Sequence, residues 1–118
     1  MKGYKMEPLD TITIAPSVLI TVIKHAAEQI EGVAGMAEIP VNVGRIFRGN
    51  SMGAGVVLDI DDQQVVVDMY IIVKPDMNMS EVSRSVQENV RRAVQELIGM
   101  DVEAVNIHIA DVGHSLEN

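Results

Sequence analysis

Val56-Val57-Leu58-Asp59-Ile60-Asp61-Asp62-Gln63-Gln64-Val65-Val66-Val67-Asp68-Met69-Tyr70-Ile71-Ile72-Val73-Lys74-Pro75 decides the fold. Val56, Leu58 and Ile60 alternate onto one face, and Asp61-Asp62-Gln63 interrupts the pattern as a polar turn. From Gln64 to Lys74 the period of two resumes, with Val65, Val67, Met69, Ile71 and Val73 on one side. Two such runs joined by a short polar turn predict an antiparallel hairpin. Pro75 ends it, because proline has no N–H to give to a strand ladder.

Working outward, each flank of the hairpin reads as a helix. Pro16 is suited to the first turn, where its missing N–H costs nothing. Val18, Leu19, Val22, Ile23, Ala26, Ala27 and Ile30 then trace one helical face, with Thr21, Lys24, His25 and Glu28 opposite. Gly32 reads as the stop, through the left-handed conformation that ends many helices. Beyond the hairpin, Asn78 is a good N-cap with Glu81 three residues on. Val82, Val86, Val90, Ala93, Val94 and Leu97 form the buried stripe, and Gly99 closes the helix. Thr11-Ile12-Thr13-Ile14 alternates with four β-branched residues and predicts a first strand facing the core with Ile12 and Ile14. Val105, Ile107 and Ile109 predict a last strand, with Asn106 and His108 outward.

The predicted order is therefore β-α-β-β-α-β. One amphipathic stripe per helix needs a single sheet face to cover. The expectation is an α+β two-layer sandwich: a mostly antiparallel four-stranded sheet with two helices on one face. Residues 1–9 read as a tail, 10–112 as one domain and 113–118 as a second tail. Residues 36–54 are a glycine-rich loop within that domain, able to hold one short helical turn or strand.

Composition narrows the function. The chain has 118 residues, nine Lys and Arg against 17 Asp and Glu, and a net charge of −8. There is no cysteine, which excludes disulfides, thiolate nucleophiles and sulfur-ligated metals. The N-terminal residues show no apolar signal core, and the longest charge-free run falls short of a membrane span. The expectation is a cytoplasmic protein. The acidity weighs against phosphate-binding surfaces, which need positive charge.

Chemistry-bearing constellations are sparse. His25, His108 and His114 lack the spacing of metal ligands. Asp59 and Asp68 are placed to face each other across the hairpin, and an enzyme reading would combine one of them with His108; no adjacent nucleophile completes it. Gly32-Val33-Ala34-Gly35 matches the GxxG clamp of nucleic-acid-binding loops, but Glu28, Glu31 and Glu38 surround it and would repel phosphate. No catalytic residue, metal or cofactor is expected.

What remains is surface. If both helices cover one sheet face, Val57, Val66, Tyr70 and Ile72 lie on the other, and extended apolar patches mark contact surfaces. The opposing expectation is that residues 36–52 fold back over that face. Arg45, Phe47 and Arg48 add an aromatic anchor with charged flanks, the make-up of an interface hot spot; alternatively, Phe47 plugs one end of the core. A local patch of Arg45, Arg48, Arg84, Arg91 and Arg92 gives the alternative partner, a nucleic acid.

Ile30-Glu31-Gly32-Val33-Ala34-Gly35-Met36 resembles the EGVAGM signature of the alkaline-shock protein family of bacterial envelope stress response proteins. The likeness continues through Val65–Val73, Val86-Gln87-Glu88-Asn89-Val90 and Val102–Ile109, and spans about residues 10 to 112. The resemblance implies a small non-enzymatic cytoplasmic protein that self-associates. It also implies a location peripheral to the membrane, reached through a membrane-embedded partner. It carries no catalytic residues over to this chain.

Overall fold

The computed structural model describes residues 12–46, 51–61 and 64–113. The predicted hairpin is its centre. Strand β3 (Val56–Asp61) and strand β4 (Gln64–Val73) pair antiparallel, with Val56 opposite Met69 and Asp61 opposite Gln64. Strand β5 (Asp101–Val112) runs parallel to β4 along its whole length. Strand β1 (Val33–Met36) pairs antiparallel with the end of β4, and strand β2 (Ser51–Gly53) pairs with β3.

The N–H and C=O of one strand residue point to the same edge, and Tyr70 uses both on this principle. Its N–H donates to the Gly55 carbonyl at 2.8 Å, and its carbonyl accepts the Ala37 N–H at 2.8 Å. So β3 and β1 share one edge of β4 end to end, with Tyr70 at the handover and β5 on the far edge.

Helix α1 (Pro16–Glu28) and helix α3 (Met79–Ala93) cover one face of this sheet. Pro16 opens α1, and Asn78 caps α3 by accepting the Glu81 N–H at 3.0 Å. Leu19, Ile23, Ala26 and Ala27 from α1 join Val82, Val86 and Val90 from α3. Both stripes close over Val56, Leu58, Val65, Val67, Met69, Ile71 and Val73. Asn89 ties the two helices together, its Nδ2 donating to the Ala26 carbonyl at 2.7 Å. The α+β class, the two layers and the single helix-covered face are those expected.

Four details differ from the sequence reading. Ile12, Thr13 and Ile14 form no strand; Thr11 lies outside the described residues. β-branched propensity does not make a strand without a partner edge, and Ile12 is 90% exposed rather than core-facing. The sheet has five strands among the described residues, because the glycine-rich stretch supplies β1 and β2 as well as the short helix α2 (Val41–Ile46). Gly32 is not a left-handed helix stop: α1 ends at Glu28, and Gly32 leads into β1 with its carbonyl accepting the Lys74 N–H at 2.9 Å. A Cβ on Gly32 would run into the Val82 side chain, so close approach, not backbone angle, requires glycine there.

Leu97 is the fourth. Residues Val94–Ile98 form a π turn, closed by left-handed Gly99 whose N–H donates to the Val94 carbonyl at 2.9 Å. The wider turn shifts the helical register, so Ile98 packs against the core and Leu97 stands 70% exposed.

Candidate functional site

Strand alternation places Val66, Asp68, Tyr70 and Ile72 on the face of β4 away from the helices. All four are half-buried rather than sealed. The parallel register sets Ala104, Asn106 and His108 of β5 beside Val66, Asp68 and Tyr70. Tyr70 and His108 stack, with ring centroids 4.5 Å apart and planes inclined by 13°. His108 Nε2 lies 2.9 Å from Asp68 Oδ1. Partial burial, and after it the Asp68 carboxylate, push the Tyr70 phenol above its ordinary 10.0.

This constellation lies on the open sheet face, with His108 exposed and Asp68 half-buried. Asp68 orients the imidazole and Tyr70 supports it from beside, making a rigid, half-aromatic patch. Among the described residues, neither His108 nor Asp68 lines the grooves at Lys24–Gly55, Gln29–Ser85, Met79–Ile109 or Ile12–Met100. Among the described residues, no group of three or more His, Asp or Glu is arranged to hold a metal ion. Asp59 and Asp68 do not oppose each other: Asp59 pairs with Val66, and Asp68 with Val57. The Asp61–Gln64 closure of the hairpin fixes that register, two residues away from an acid pair.

The other sequence-selected positions divide. Val57 belongs to the open face by its pairing with Asp68, but at 1% exposure it offers no surface. Arg45 lies in α2, while Phe47 and Arg48 fall outside the described residues. Arg84, Arg91 and Arg92 are all on α3, on the helix layer, with Glu81 and Glu88 interleaved. Arg92 is engaged with Asn89, its Nη1 donating to Oδ1 at 3.2 Å. Sequence reasoning missed the Tyr70–His108 stack, because the parallel pairing of β4 with β5 was not fixed by any local signal. It also missed β2, although Ala54-Gly55 between apolar residues was a readable two-residue hairpin loop. Both residues have positive φ, 53° and 81°, as a type I′ turn demands.

Fold and surface together define an α+β sandwich of two layers, one closed by helices and one presenting its strands. A similar fold occurs in solved structures of the MamM CTD. One variant superposes with a TM-score of 0.52 at 18% identity over 82% of this chain and 98% of that one. A second gives 0.51 at 21% identity over 80% and 96%. At these identities the likeness concerns fold alone. Sequence relationship is closer elsewhere: the uncharacterized Bacillus subtilis protein YloU is 35% identical over 86% of this chain and 87% of its own length. YqhY of the same organism is 31% identical, covering 92% and 84%.

A family model matches residues 4–114, so the chain belongs to the alkaline shock protein 23 family, which has a cell envelope-related function.

Proposed function

We propose that this chain is a non-enzymatic cytoplasmic interaction protein that self-associates and docks on a membrane-embedded partner of the cell envelope. The observation carrying this reading is the open sheet face. The helices occupy the opposite side, so Val66, Tyr70 and Ile72 stay accessible beside the Asp68–His108 pair. Apolar groups ringed by fixed polar ones are the composition of a protein contact. No helix among the described residues is long and apolar enough to cross a membrane. A net charge of −8 is repelled by anionic headgroups, which favours a protein contact over a lipid one. Arg45, Phe47 and Arg48, an aromatic residue flanked by two cations in the sequence, are proposed as a second anchor.

Affinity capture from detergent-solubilised membranes and from the soluble fraction tests this. Wild-type protein is expected to retain a membrane-fraction protein, and Tyr70→Asp with Ile72→Asp to lose it by at least ~10-fold, the effect of burying charge at a hot spot. Equal capture by the variant, or salt-sensitive nucleic-acid binding lost on replacing Arg84, Arg91 and Arg92 by Ala, would overturn the reading.

A further inference from the structure

Strand β5 pairs with β4 alone among the described residues, so its far side is an open edge of the sheet. The phase of that edge follows from Tyr70, which turns its backbone groups to β3 and β1. Met69 and Ile71 therefore turn theirs to β5, and so do Val67 and Val73. In a parallel ladder such a residue bonds the two neighbours of its partner. Met69, opposite Ile107, thus engages Asn106 and His108. The Gly113 N–H, donating to the Val73 carbonyl at 2.9 Å, has the same phase. Val105, Ile107 and Ile109 are left pointing outward.

Side chains close the two ends of this edge. Gln87 Nε2 donates to the Val105 carbonyl at 2.9 Å, and Asp111 Oδ1 accepts the Val112 N–H at 2.8 Å. Between them, the N–H and C=O of Ile107 and Ile109 have no partner among the described residues. Charge is distributed the same way. Exposed Asp101 and Glu103 precede this stretch and Asp111 follows it, whereas Val105-Asn106-Ile107-His108-Ile109 holds no Lys, Arg, Asp or Glu. Charged side chains commonly blunt an edge against further pairing, and here they stop short of its middle. Alongside, Met79, Ser80, Ser83, Arg84, Gln87 and Ile109 line a groove of about 300 Å³ between α3 and β5. Its lining holds a guanidinium and two hydroxyls and no carboxylate.

We propose that the Ile107–Ile109 edge receives an extended segment of another protein, which adds to the sheet as one more strand and sets a carboxylate side chain in this groove. Residues opposite each other in neighbouring strands share a face. Those opposite Ile107 and Ile109 therefore point toward the helix layer, where a Glu or Asp meets Arg84 and the hydroxyls of Ser80 and Ser83. Backbone bonds supply affinity and the groove supplies side-chain preference, the usual division in strand addition. Charge disfavours a second copy as the occupant. Two β5 edges paired about an axis at Ile107 would set Glu103 of each copy near Asp111 of the other, and like charges so placed repel. The edge does not include Val66, Tyr70 or Ile72, so the inference goes beyond the open-face reading and does not rest on it.

Amide exchange and NMR titration of the full chain test it. In the free protein, the Ile107 and Ile109 amides are expected to exchange at least ~10-fold faster than those of Asn106 and His108. The probe is a blocked peptide of roughly seven residues, an ordinary strand length, alternating threonine and valine about a central glutamate. At about 1 mM it is expected to shift and protect the Ile107 and Ile109 amides. The same peptide with a central lysine is expected to bind at least ~5-fold more weakly, and Arg84→Glu, at an exposed position, to reverse that preference. N-methylating the peptide backbone is expected to abolish binding, which contact through side chains alone would survive. Ile107 and Ile109 amides already protected without peptide would overturn the inference, because the edge would be covered; protection that grows with protein concentration would identify a second copy there. So would the absence of any shift on titration, or equal binding of the glutamate and lysine peptides.

Discussion

Gly55→Ala is expected to lower the stability of the fold by about 2–4 kcal/mol, read as a shift in the denaturant midpoint at unchanged slope. Gly55 has φ +81°, and a Cβ built there lies 2.7 Å from the Ala37 carbonyl oxygen and 3.0 Å from that of Tyr70. Both contacts are backbone, at the point where β4 passes from β3 to β1, so nothing flexible can yield. Gly99→Ala is the control. Its φ is +86°, but a Cβ there meets nothing within 4 Å. It is expected to cost only the left-handed penalty, about 1–2 kcal/mol. The difference between the two variants measures the close approach of the three strands. Equal losses would contradict the handover at Tyr70.

Adjacent residues of β4 separate the two faces of the sheet. Ile71 is fully buried beneath the helices, and Ile72 is half-buried on the open face. Ile71→Ala removes core contacts and leaves a cavity, with an expected loss of about 3–4 kcal/mol. Ile72→Ala is expected to lose less than ~1 kcal/mol, since water already reaches it. Chemical denaturation of both variants checks this. Comparable losses would mean that the open face is sealed within one chain. The same pair sorts function from folding: Ile72 is the residue whose replacement should change binding without changing the melt.

The sequence makes some of this legible and hides the rest for physical reasons. Period-two alternation in Val65–Val73 and the stripes of the two long helices are local patterns. They suffice for the hairpin, the helix-covered face and the α+β class. Asn78 and Gly99 are local too, and both cap as read. The strand expected at residues 11–14 is absent over the described 12–14, because strand formation is a two-body property, and a good sequence still needs an edge to pair with. Leu97 is turned outward by a π turn, a backbone choice that a 3.6-residue period cannot register. Gly32 reads locally as a left-handed stop, but glycine is needed there for another reason. Its constraint is a contact with Val82, fifty residues away in the chain. Of the candidate surface, Val66, Tyr70 and Ile72 follow from alternation alone, while the His108 stack on Tyr70 depends on non-local parallel pairing.

The most direct test of the docking face is site-specific photo-crosslinking in living cells, with the photoreactive residue placed at Ile72 on the open face or at Ser85 on the exposed side of α3. The account predicts a discrete crosslink to a membrane-fraction protein from position 72 and none from position 85. A crosslink from position 85 with none from position 72 would contradict it, because the partner would then be reading the helices rather than the strands.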